Sequence, residues 1–168
     1  MNDPEEPPAS VELYLLRHAD AGDPAAWTGD DADRPLSKKG KRQARRLAEL
    51  LCDIRWRPDV MVTSPKLRAR QTADALAQEV KRKPIEDDRL GGGLDLAALG
   101  GLLAEHPGAM RIALVGHDPD FSAIASSLTG AALEVRKGAL VRIDLPTRGA
   151  MPGAGVLRWL IPPKVVPR

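Results

Sequence analysis

The fold of this chain is constrained most by the alternation of short apolar runs with longer amphipathic stretches. VELYLLR (11–17), DVMVTS (59–64) and RIALVGH (111–117) have the length and composition of strands buried on both faces. Helical patterns lie between them. Ser37 reads as the N-cap of a helix to residue 54, with Ala44, Leu47, Ala48, Leu51 and Ile54 on one face. Ser64 reads as a second N-cap with Pro65 at the first helical position, and Ala69, Ala73, Leu76, Ala77 and Val80 turn inward. A third helix is expected from Asp95 to Glu105, and a fourth from Pro119 to Leu128. A weak strand is expected at 84–88. ALVRIDL (139–145) and GVLRWLI (155–161) alternate as a hairpin across a Pro/Gly-rich loop. Repeated strand–helix units predict an α/β three-layer sandwich, a mostly parallel sheet with helices on both faces. The hairpin adds antiparallel strands at one edge.

The 168 residues suit one domain, expected over 11–161, with tails at 1–10 and 162–168. The single cysteine, Cys52, excludes an internal disulfide and reads as a small buried residue. A net charge of +2, from 25 bases and 23 acids, gives no reason to expect nucleic acid or a membrane as partner. The start, MNDPEEPPAS, is acidic and proline-rich, unlike a signal peptide, so a cytoplasmic protein is expected. The helix at 37–54 carries Lys38, Lys41, Arg42, Arg45, Arg46 and Glu49 on its polar side. That side reads as a solvated face, with docking of an acidic partner as the alternative.

In an open α/β sheet, ligands bind beyond the carboxyl ends of the strands. The first strand ends at Arg17-His18, the second at Thr63-Ser64 with Arg68 one turn on, and the strand at 111–116 runs into His117-Asp118. Two histidines and two arginines are thus expected on one rim. Two guanidinium forks match the oxygens of a phosphoryl dianion. One histidine can attack phosphorus and carry the group covalently, and a second can hold an oxygen where charge develops.

LLRHADA, TSPKLRARQTA (63–73) and VGHDP (115–119), in that order, resemble the three motifs of the histidine phosphatase superfamily, the phosphoglycerate mutase-like fold. DRPLSKKGKRQA (33–44) and KGALVRIDLP (137–146) resemble its short bacterial branch, which contains the SixA-type phosphohistidine phosphatases. The resemblance spans roughly residues 11–161. It implies His18 as the nucleophile that becomes phosphohistidine, Arg17 and Arg68 as phosphoryl ligands, and His117 as the group that completes the pocket. Arg34 is implied as a further substrate contact. No metal or other cofactor is implied. The expected activity is a metal-independent phosphatase acting on a phosphohistidine-containing protein. A small-molecule phosphomonoesterase and a non-catalytic phospho-ligand binder are the alternatives.

Two positions depart from the pattern. Ala19 stands where the family has glycine after Arg-His. Where many members carry a glutamate as general acid, the stretch EDDRLGGGLDL has Arg89, with Asp88 and Asp95 nearby and Asp20 as another candidate. A metal site built from His18, Asp20, His117 and Asp118 is disfavoured by the two arginines, which would repel a cation.

Overall fold

A computed structural model describes residues 10–167. In chain order the elements are β1 (Val11–Arg17), α1 (Lys38–Asp53), β2 (Val60–Thr63), α2 (Leu67–Val80), β3 (Ile85–Glu86) and α3 (Leu96–Ala104). They continue with β4 (Arg111–Gly116), α4 (Asp120–Thr129), β5 (Leu140–Leu145) and β6 (Val156–Ile161). The strands form one sheet in the order β3-β2-β4-β1-β5-β6. β3, β2, β4 and β1 run parallel, while β5 and β6 form the antiparallel closing pair.

β1 shows why both faces are covered. Successive side chains of a strand point to opposite sides. Val11, Leu13 and Leu15 enter one core, with Leu99, Leu102 and Leu103 of α3 and Phe121, Ile124 and Leu128 of α4. Tyr14 and Leu16 enter the other, with Leu47 and Leu51 of α1 and Ala69, Ala73 and Leu76 of α2. The result is the expected three-layer α/β sandwich.

Several boundaries differ from expectation. α1 ends at Asp53, so Ile54 leaves the apolar stripe and is 48% exposed. Cys52 is only half-buried. β3 is two exposed residues, because a strand at the sheet edge needs little apolar sequence. Ser64 is not the N-cap of α2; Lys66 holds that position, with no side-chain cap, and the Ser64 hydroxyl accepts from Lys66 N at 3.2 Å while facing His117. Pro119 sits just before α4, after a cis Asp118–Pro119 peptide, and the Asp118 carboxylate accepts from Ser122 N at 3.0 Å. Of the tail expected at 162–168, the described residues 162–167 form a 3-10 turn at Pro163–Val165 and bury Val166 against the α1/α2 core. The expected tail at 1–10 lies outside the described residues except for Ser10.

Candidate active site

The register of the parallel strands builds the site. Arg17 of β1 pairs with Gly116 of β4, and Thr63 of β2 pairs with Val115. The next residues, His18, His117 and Ser64, therefore leave three adjacent strands at the same carboxyl edge. The rings of His18 and His117 stand 5.1 Å apart, tilted by 55°. The chain is held tightly there: His18 N donates to Gly116 O at 3.0 Å, and Gly138 N lies 3.1 Å and 3.0 Å from the carbonyls of Arg17 and His18. A rigid strand end places each ring without relying on loop order.

His18 Nδ1 lies 2.7 Å from Ala19 O. A carbonyl oxygen can only accept, so Nδ1 carries the hydrogen and Nε2 of the neutral ring keeps its lone pair. Burial pushes the His18 pKa down to about 4, with the Arg68 and Arg17 charges acting the same way against the Ala19 hydrogen bond. Burial, followed by the positive neighbours, also lowers His117 to about 3. Both rings are neutral at pH 7. His117 Nε2 is 2.8 Å from Ser64 Oγ, which orients that ring.

Ala19 resolves the first departure from the family pattern. Its residue is fully buried with Ala21, Leu36 and Ala44 in a small apolar cluster. Its backbone is not in the left-handed region, so no glycine is needed there. Ala19 N donates to Thr72 Oγ1 at 3.1 Å, and that hydroxyl donates to Arg68 O at 2.7 Å. This short chain ties the residue after His18 to the turn of α2 that carries Arg68. Gly40 closes the packing from α1: a Cβ there would lie 1.9 Å from Asp20 O.

Arg68 is 5% exposed and reaches the same edge from α2. Its Nη1 and Nη2 donate to Asp31 O and Asp31 Oδ2 at 2.7 and 2.9 Å. Arg34, 7% exposed, donates from Nε to Asp31 Oδ1 at 2.9 Å and from Nη1 to Ala21 O at 2.8 Å. Asp31 thus bridges Arg34 to Arg68, and these hydrogen bonds and charges hold its carboxyl below the usual range. Arg17 donates from Nη1 to Val135 O at 3.0 Å and lies 3.6 Å from Asp118. Among the described residues, buried Nε of Arg17 and of Arg68 have no hydrogen-bond partner.

Arg17, His18, Arg68 and His117 therefore meet at one edge, while Arg34 joins them only through Asp31. Sequence reasoning missed Asp31, Ser64 and Thr72 as members of the site. All three required the fold, since Asp31 meets Arg68 only when its loop lies against α2. The candidate acids are distributed differently. Asp20 accepts from Ser37 Oγ at 2.5 Å, a hydrogen bond that lowers its pKa. Asp95 caps α3, accepting from Ala98 N at 2.8 Å. Asp88 is exposed in a 3-10 turn. Arg89 is drawn into ion pairs with Asp87 and Glu105. Among the described residues, no group of three or more His, Cys, Asp or Glu is placed to hold a metal.

Known proteins share both sequence and fold with this chain. Residues 13–91 match the model of the histidine phosphatase superfamily, branch 1. An uncharacterised protein of Picosynechococcus sp. is 33% identical over 166 residues, covering 90% of this chain and all of its own. The SixA protein of Agrobacterium tumefaciens superimposes with a TM-score of 0.75 at 26% identity, over 90% of this chain and 97% of that one. A protein histidine phosphatase SixA complexed with tungstate gives 0.80 at 21% identity, over 92% and 98%. Ordered motifs, strand register and these likenesses lead to one conclusion: the chain belongs to the histidine phosphatase superfamily and is a phosphatase.

Proposed function

We propose that this phosphatase works without a metal, through a phosphoryl group carried on His18 Nε2, and that its substrate is a phosphohistidine-containing protein. The observation that carries the reading is the Nδ1–H···O=C bond to Ala19, which leaves Nε2 of a neutral ring as the free nucleophile. Arg17 and Arg68 are the phosphoryl ligands, their charges standing close enough to His18 to lower its pKa. His117, held by Ser64, donates to an equatorial oxygen as charge develops. Arg34 contributes by fixing Asp31 against Arg68 rather than by touching substrate.

In the first step the substrate's phosphoimidazole, protonated from solvent water on its distal ring nitrogen, loses its phosphoryl group: Nε2 of His18 bonds to phosphorus while the P–N bond breaks, and neutral imidazole leaves with that proton. In the second, water bonds to phosphorus, the His18 P–N bond breaks, Nε2 regains its lone pair and phosphate leaves. The substrate class follows from the acids. An alkoxide needs a positioned general acid, typically about 10²–10⁴-fold in rate. Asp20 and Asp95 are tied to Ser37 and to the α3 terminus, and Arg89 stands where a glutamate is common. A protonated imidazole leaves more readily, so a phosphoramidate suits this site better than an alkyl ester.

The test is a comparison of kcat/KM on a phosphohistidine peptide and on a panel of sugar and alkyl phosphates. The peptide is expected to win by about 10²-fold or more. Faster turnover of an alkyl phosphate would move the assignment to a small-molecule phosphomonoesterase.

A further inference from the structure

A cavity of about 620 Å³ opens beside the phosphoryl site, with Arg17 in the wall of both. Lys39, Arg42 and Arg46 line it from α1, at the spacing of one helical face. Arg136 and Lys137 line it from the loop before β5, and Lys164 from the turn after β6. Lys137 directly precedes Gly138, whose N–H binds the carbonyls of Arg17 and His18. The basic wall is therefore continuous with the nucleophile's own support.

The polar side of α1 is thus divided. Arg45 pairs with Glu49 at 3.5 Å and belongs to the solvated part. Lys39, Arg42, Arg46, Lys137 and Lys164 make no ion pair among the described residues, and Arg136 meets only Glu134 at 3.4 Å. Asp20 is the sole carboxylate in the lining, and it is engaged by Ser37. Clustering like charges in one concavity costs self-repulsion and raises the local concentration of anions.

We propose that this basic cavity receives acidic side chains flanking the phosphohistidine on a partner protein. The inference rests on the phosphohistidine reading above and adds the character of the partner surface. Three features favour protein carboxylates over a compact ligand. From Lys39 to Arg46 the charges run about 10 Å along the helix axis, longer than one phosphate. The α1 cations and Lys164 are on long, solvent-accessible side chains, in contrast to the nearly buried Arg68 and Arg34. No aromatic ring lines the cavity to stack a base; only Pro162 and Pro163 interrupt the polar wall. Recognition is by charge on adaptable arms, which suits a surface bearing several carboxylates.

The test uses two synthetic phosphohistidine peptides, one with Asp and Glu on both sides of the phosphohistidine and one with Gly and Ser there. The readout is the ratio of their kcat/KM values, so a variant with a slower centre still reports. The acidic peptide is expected to be preferred about tenfold or more at 20 mM salt and less than about threefold at 0.5 M, where the screening length is a few Å. In the Arg42→Glu/Arg46→Glu double variant the ratio is expected to fall to about one or below. A ratio near one in the wild type, or a preference unmoved by the double variant, would overturn the proposal. So would tripolyphosphate inhibiting far more tightly than phosphate, through Arg42 and Arg46, with no peptide preference; the cavity would then belong to a small polyanion. If the neutral peptide and free phosphohistidine are both left unhydrolysed while phosphate esters turn over, the substrate reading itself fails and takes this inference with it.

Discussion

Gly40→Ala separates two opposed effects of one methyl group. Near the start of α1, alanine gains up to about 1 kcal/mol over glycine from helix propensity. At this position the new Cβ would lie 1.9 Å from Asp20 O and under 3 Å from Asp20 N. Both are backbone atoms, so no rotamer change relieves the contact. α1 or the loop after His18 must move, and overpacking of this kind costs typically 1–3 kcal/mol, sometimes more. With backbone at 1.9 Å the cost sits at the upper end, about 3 kcal/mol, so the clash wins with a net loss of about 2 kcal/mol. For a chain of this size that lowers Tm by about 4–8 °C. The displaced strand end also carries Ala19 O, the acceptor that sets the His18 tautomer, so turnover should fall by about tenfold or more. Gly100→Ala is the control. Gly100 lies inside α3, and its nearest neighbour to a new Cβ is Ala150 N at 3.9 Å, an ordinary contact. There propensity acts alone, and Tm should rise by about 1–4 °C. Thermal melts of both variants with turnover on a phosphohistidine peptide make the comparison. Gly40→Ala melting at or above the wild type would refute the close approach of α1 to Asp20.

Other perturbations have outcomes of defined sign. Both histidines have folded pKa values below their unfolded ones, about 4 and 3 against 6.5, so protonation favours the unfolded chain. Their contribution to stability is complete above pH 6.5 and is lost as pH falls towards 4; Tm measured over that range should drop less steeply in His117→Gln than in the wild type. Ser64→Ala removes the partner of His117 Nε2 and should lower kcat by about tenfold with KM nearly unchanged, as steady-state kinetics would show. Arg68→Lys replaces a fork by a point charge and should reduce kcat/KM about 10²-fold. Asp95→Asn keeps an acceptor for the α3 cap, so phosphohistidine turnover should stay within about threefold of wild type; a loss of 10²-fold would make Asp95 the missing acid.

How legible the site was depended on which force placed each residue. Arg17, His18 and His117 follow apolar runs directly, and a strand buried on both faces can end only at the sheet edge. Arg68 was legible because it lies one turn beyond a strand end. Asp31 was not, because its contact with Arg68 requires the 19–36 loop to fold back over α2. Ser64 was misread because Ser-Pro before a helix normally signals a cap, and only the β2/β4 register shows its hydroxyl facing His117. Docking of an acidic partner on α1 was legible as an alternative, but not which cations share one cavity: helical periodicity identifies a polar face, not the loop and C-terminal turn that wall in Lys39, Arg42 and Arg46. Val166 escaped notice because one valine among prolines gives no periodic signal.

The central claim, that His18 carries the phosphoryl group, is tested most directly by trapping it. Enzyme mixed with ³²P-labelled phosphohistidine peptide and quenched rapidly in alkaline denaturant should retain label that acid releases and alkali does not, mapping to the peptide containing His18. The label should be absent from His18→Ala and present in His106→Ala. Acid-stable label, or label that persists in His18→Ala, would contradict the account.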